Sequence, residues 1–323
     1  MSKPVVFIVG PTGSGKSKLA LMLARKLSAE IVSADSMQIY RGMDIGTAKP
    51  TRKEQKLIPH HLLDAMTSRS ECSVFKYRDL AINAIHKIIR RGKIPMVVGG
   101  SGLYVGALTD GLSPLPGRKA SYRKQLEQFE TSVLYERLKR MNCRRAATIY
   151  PNDRKRIIRA LEIMEVGKGR AEGRSGSLTD YGFKPILIGI SRDRKELYER
   201  IEKRVDEMFE AGWIDEVKRL KKIGLSKTAR YAIGYQEILE YLDGKKSFEE
   251  MSLEIKKRTR HLAKKQMTWF RKEPRIHWYS MSGEKYVPVM NKILRMIQPS
   301  LRGGRRPTKQ SRSEIASPLR GSQ

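Results

Sequence analysis

Hydrophobic positions along the chain switch repeatedly between two periods. Short apolar runs, VVFIV at 5–9, EIVSAD at 30–35, IPMVVGG at 94–100 and KPILIGI at 184–190, are bounded by glycines or polar turns and predict buried strands. KLALMLARKL at 18–27 and YRDLAINAIHKIIRRG at 77–92 have helical spacing instead, the second stopped by Gly92. Strands alternating with helices predict βαβ units, and hence a doubly wound parallel sheet whose ligands sit at the carboxyl ends of its strands. Residues 10–17, Asp35 and 99–104 fall at such ends, so one cleft is expected to hold them all.

The pattern changes at GLSPLPGRK, 111–119, a Pro/Gly-rich boundary. From 121 to 166 the chain reads as basic helices, with Asn152 or Asp153 placed to cap the last, and 167–182 as a flexible basic return. The predicted fold class is α/β: a P-loop NTPase-like parallel sheet core, residues 1–112 and 183–285, with an inserted all-helical domain at 113–182. Further helices are expected at 194–212, 232–244 and 249–272, and RIHWY at 275–279 as a short edge strand. The stretch 300–323 is polar, basic and free of aromatics, which predicts a disordered tail.

Composition adds a partner. Lys and Arg number 66 against 34 Asp and Glu, a formal charge of +32. Such an excess suits attraction to a polyanion, nucleic acid first among them, although solubility or a generally basic proteome could also produce it. The positive charge is spread along the chain with no apolar anchor beside it, which argues against a membrane surface. Two cysteines, Cys72 and Cys143, without a CxxC, argue against a disulfide framework and a zinc site. No window approaches 18 apolar residues. The first apolar run reads as a strand and not as a secretory signal, so a cytoplasmic monomer is expected.

The sharpest motif is GPTGSGKS, comprising Gly10, Pro11, Thr12, Gly13, Ser14, Gly15, Lys16 and Ser17. It fits the phosphate-cradling loop in which backbone amides and a helix N-terminus face an anion, Lys16 neutralises it and Ser17 reaches Mg²⁺. The bland alternative is an unused Gly-rich turn. P-loop hydrolases also need an apolar strand ending in a metal-holding Asp. Here MVVGGSGLY, 96–104, ends in glycines and Ser101, and no guanine-reading N/T-K-x-D occurs. The loop is thus equipped to bind a diphosphate and under-equipped to hydrolyse one. Asp35 could act as a general base or hold Mg²⁺ through water, or simply be a turn residue. His60 and His61 are adjacent, point apart and lack a third ligand, which favours packing or a substrate-loop role over a metal. Along 256–272, cations including Lys264, Lys265 and Arg271 suggest a surface that tracks RNA, with a solvated face as the alternative.

Taken in order, GPTGSGKS (10–17), DSMQIYRGMDIGTAKP (35–50), PHHLLD (59–64), GGSGLY (99–104), PNDRKRIIRALE (151–162), AIGYQE (232–237) and RTRHLAKKQMTWFR (258–271) resemble the motifs of the bacterial tRNA dimethylallyltransferases, over residues 3 to about 280. The resemblance implies transfer of a dimethylallyl group from dimethylallyl diphosphate to the N6 amine of adenosine 37, beside the anticodon, with Mg²⁺. It further implies that the loop holds the departing diphosphate, helped by Ser17-bound Mg²⁺, Ser101 and Arg230, and that Asp35 accepts the amine proton. Ser36, Met37 and Gln38 would read or pack a flipped adenine. Lys155, Arg156 and Arg159 would grip the anticodon stem-loop. Ser101 stands where the family usually has Thr and keeps the hydroxyl; Asn142-Cys143 replaces a usual Asp-Pro. Two other classes compete: a P-loop kinase acting on a nucleotide or small metabolite, and a non-catalytic RNA-binding protein with a relic loop.

Overall fold

A computed structural model describes residues 2–113, 119–167, 174–284 and 286–302. The chain divides into two compact units, one built from the residues up to Thr109 and from Leu178 onward, the other from Asp110–Ser177. The sequence placed the corresponding insertion at 113–182. Parts of the expected linkers, 114–118 and 168–173, and the tail from 303 lie outside the described residues.

The first unit is a six-stranded sheet, all of whose neighbouring strands pair in parallel: β1 Lys3–Val9, β2 Ala29–Ser33, β3 His60–His61, β4 Ile94–Gly99, β5 Phe183–Ser191 and β6 His277–Ser280, in the order β3-β2-β4-β1-β5-β6. β1 lies between β4 and β5, with Val6 opposite Met96 on one side and Ile186 on the other. Its last five residues are all buried. Val5, Phe7 and Val9 pack on one face with the helix Val74–Arg90. Val6 and Ile8 pack on the other with the helix Lys16–Leu27. Burial on both faces explains why these strands read as unbroken apolar runs. Each such side chain contributes roughly 1.5–3 kcal/mol, enough to fix the register around the loop that follows β1.

Four elements differ from the sequence reading. β2 stops at Ser33, because the Asp35 side chain turns the chain just beyond it. β3 is a two-residue edge strand that no pattern announced. The helix Tyr286–Arg302 extends the core past residue 285: Tyr286, Val289, Met290, Ile293 and Ile297 pack into the Val6–Ile8 face of the sheet. Edge strand β6 falls two residues later than RIHWY begins.

The second unit has its own small core of Leu126, Leu134, Leu138, Ala146, Ile149, Ile157, Ile158 and Leu161. Asp153 caps its last helix, accepting the N–H of Arg156 at 3.2 Å. No helix among the described residues is long and apolar enough to cross a membrane.

Candidate active site

The phosphate loop joins β1 to the helix Lys16–Leu27. At Gly10 a Cβ would stand 2.3 Å from the Ile190 carbonyl oxygen, so only glycine lets the chain leave the sheet there. Gly15 sits at φ 92, in the left-handed region that turns the chain into the helix. The N-terminal amides of that helix open on a cavity of about 820 Å³, whose wall includes Thr12, Gly13, Gly15, Lys16 and Ser17. Lys16 Nζ donates to the Pro11 carbonyl at 3.2 Å. The side chain is half-buried and lines the cavity. Burial and then the charge of Arg204 lower its pKa to about 8, while Asp35 pulls it upward.

Two long helices brace the loop. From Arg194–Glu210, Arg200 Nε donates to Gly13 O at 3.2 Å and Arg204 Nη1 reaches Thr12 Oγ1 at 3.5 Å. From Phe248–Phe270, Gln266 Oε1 accepts the Thr12 N–H at 2.9 Å. Burial pushes the Arg204 pKa down, with Asp35 opposing. Arg200 and Arg204 both line the cavity. The sequence reading missed this pair. Its one available signal was spacing: i and i+4 arginines flanking the buried Leu197, Ile201 and Val205 stripe.

Across the cavity, Asp35 Oδ1 accepts the N–H groups of Met37 at 2.8 Å and Gln38 at 3.3 Å. That Asx turn fixes the carboxylate and leaves Oδ2 without a hydrogen-bond partner among the described residues. Asp35, Ser36, Met37 and Gln38 all line the cavity, as does Ser101. The glycines ending β4 now have a reason: a Cβ on Gly99 would lie 2.2 Å from Ala34 O, and one on Gly100 would lie 2.4 Å from Gln266 Nε2. The Ala34 backbone and the Gln266 side chain occupy the space a side chain at 99 or 100 would need.

Not every expected residue joins this group. Arg230 is exposed, its Nε donates to Gln236 Oε1 at 2.9 Å, and it is absent from the cavity wall. The short helix Lys227–Arg230 turns it outward, and Arg200 and Arg204 stand where a second cation was expected. Arg159 pairs with the buried Glu162 at 2.8 Å, inside the second unit, whereas Lys155 and Arg156 are exposed there. Lys264, Lys265 and Arg271 are exposed, and Lys265 reaches the cavity rim. His61 Nε2 meets Glu30 Oε2 at 2.7 Å and His60 Nδ1 meets the Ile58 carbonyl at 2.7 Å. Among the described residues no cluster of three or more His, Cys, Asp or Glu could hold a metal by itself. A Mg²⁺ bound mainly by diphosphate oxygens would need less: the Ser17 hydroxyl could supply one hard oxygen donor, with the Asp35 carboxylate reaching the ion through water, and both line the cavity.

A family model described as IPP transferase matches residues 38–273. The tRNA dimethylallyltransferase 1 of Pelobacter propionicus is 43% identical over 303 residues, covering 91% of this chain and 97% of its own. That of Thermotoga maritima is 40% identical over 299 residues, covering 91% and 97%. Among solved structures, the full-length tRNA isopentenylpyrophosphate transferase of Bacillus halodurans is 38% identical with a TM-score of 0.69, over 94% of this chain and 98% of its own. A eukaryotic dimethylallyltransferase acting on tRNA is 28% identical with a TM-score of 0.77, over 96% and 82%.

Proposed function

Since the chain belongs to the IPP transferase family, we propose that it is a cytoplasmic prenyltransferase that moves a dimethylallyl group from dimethylallyl diphosphate to the N6 amine of adenosine 37 of tRNA. Diphosphate leaves and N6-isopentenyladenosine remains. The observation that carries this reading is that the phosphate loop with Lys16, the Asp35 carboxylate and Ser101 line one cavity.

In the reaction the allylic C1–O bond breaks, N6 bonds to C1, and one N6 proton passes to Asp35. Negative charge grows on the departing diphosphate. The loop amides, Lys16 and the half-buried Arg204 line the cavity that would take that charge, where fixed cations stabilise it. Ser17 would hold a Mg²⁺, with Asp35 reaching it through water, and the ion would supply further charge neutralisation on the diphosphate when bound. Asp35 Oδ2 is the available proton acceptor, because the Asx turn already holds Oδ1. A base reaches such a recess only by leaving its stack. Exposed Lys264, Lys265 and Arg271 on one unit, and Lys155 and Arg156 on the other, supply phosphate contacts.

Labelled dimethylallyl diphosphate, Mg²⁺ and unmodified tRNA, followed by digestion to nucleosides, test the reading. Prenylated adenosine is expected. ATP consumption without it would establish a kinase instead.

A further inference from the structure

Gln38 lies on the cavity wall with its amide orientation fixed by its neighbours. Its Nε2 donates to the carbonyl oxygens of Thr47 at 3.1 Å and Ala48 at 3.2 Å, and its Oε1 accepts from Ser33 Oγ at 3.1 Å. Backbone carbonyls only accept, so the NH₂ must face them and the amide cannot be reversed. Both amide protons are then used, and what Gln38 still offers a ligand is a lone pair on Oε1. The Asp35 carboxylate, three residues earlier, also only accepts. This wall suits an exocyclic amine, which brings two N–H donors. A keto oxygen in the same place would meet it lone pair to lone pair.

The two locking carbonyls belong to the loop 44–48, whose Ala48 sits at φ 47. On its outer side Lys49 bridges Asp44 and Asp64 at 2.6 Å each. On its inner side the loop rests on one buried carboxylate. Glu216, 2% exposed, accepts the N–H groups of Asp44 at 2.8 Å and Ile45 at 2.7 Å on Oε2. Its Oε1 accepts Gly46 N–H at 3.2 Å and the Tyr235 hydroxyl at 2.7 Å. The Trp213 ring, one turn earlier on the same helix, closes the space beneath Gly46, where a Cβ would lie 2.1 Å from Nε1. Four donors on one buried carboxylate set the height and tilt of the loop.

We propose that Glu216 is a positioning residue for base selection: it holds the loop 44–48, whose carbonyls lock Gln38 as an acceptor, and it touches no substrate itself. The proposal rests on the adenosine-acceptor reading above. Glu216→Gln keeps the volume but turns an NH₂ toward backbone N–H groups, which frees the loop and lets the Gln38 amide rotate.

The test compares binding of two anticodon stem-loops, with adenosine or inosine at position 37, to the full chain. Wild type is expected to prefer adenosine by about tenfold or more, the usual result of facing acceptors with an acceptor. In Glu216→Gln the ratio should fall to about two or less, with KM for dimethylallyl diphosphate within about twofold of wild type. A merely structural Glu216 would move both constants together. Tyr235→Phe removes one of the four donors, serves if Glu216→Gln does not fold, and should lower the ratio by a smaller factor. A ratio unchanged in the variants, a ratio near one in wild type, or parallel loss of both constants overturns the proposal. A wild type that selects adenosine yet transfers no prenyl group counts against the function and leaves the selection device standing.

Discussion

Gln266 Oε1 accepts the backbone N–H of Thr12 at 2.9 Å, so the long basic helix Phe248–Phe270 holds the phosphate loop directly. The residues are 254 apart in sequence. Removing this acceptor leaves a loop N–H without its partner and loosens the diphosphate cradle. Gln266→Ala should raise KM for dimethylallyl diphosphate by about three- to tenfold, the cost of one such bond at roughly 1 kcal/mol. Steady-state kinetics read this, and an unchanged KM would show that the loop holds its shape unaided.

Asp35→Asn keeps an Oδ1 acceptor for the Met37 and Gln38 N–H groups but removes the base. A fall in kcat of about 10²–10⁴-fold is expected, the usual span for a positioned general base. Affinity for tRNA should stay within about twofold. Equal loss of turnover and tRNA affinity would mark Asp35 as a structural turn residue only.

Arg204 and Arg230 separate two placements of the second cation. Arg204→Ala should lower kcat/KM for dimethylallyl diphosphate by tenfold or more, because a cation in a recess acts on developing charge with little screening. Arg230→Ala, at an exposed position paired with Gln236, should change it by less than about threefold. The opposite ranking would return the leaving-group role to Arg230.

Lys16 gives a pH signature. With its pKa lowered to about 8 from 10.5, the free protein loses this charge as pH rises through 8, and a bound diphosphate draws the proton back. Diphosphate affinity should therefore fall between pH 7 and 9, and binding at pH 8.5 should take up a proton. Calorimetry in buffers of different ionisation enthalpy measures that uptake. For stability the sign reverses: between 8 and 10.5 the unfolded chain binds the proton and the folded one does not, so this group favours the folded state more as pH rises.

The helix Tyr286–Arg302 makes a stability prediction. Ile293 is fully buried against the sheet, and Ile293→Ala should cost about 2–5 kcal/mol in denaturant unfolding. A loss under 1 kcal/mol would show that the helix only rests on the core.

This helix also marks how far the sequence could be read. Spacing at 286, 289, 290, 293 and 297 is a plain helical stripe, yet its polar setting beside the basic tail hid it. The loop 10–17, Asp35 and Ser101 were legible because local patterns place them at strand ends. Arg200, Arg204 and Glu216 were not, because charged residues on an amphipathic helix look alike until the fold decides which of them face inward. That Arg230 lies off the cavity wall was hidden for the same reason.

The bond that breaks decides the central claim, that the phosphate loop holds a leaving group. Dimethylallyl diphosphate carrying ¹⁸O in its bridging position is incubated with the protein, Mg²⁺ and unmodified tRNA, and both products are weighed by mass spectrometry. C–O cleavage predicts adenosine 37 carrying the unlabelled prenyl group and diphosphate carrying all of the ¹⁸O. Label retained on the carbon chain, or a prenyl-free adenosine 37, would contradict it.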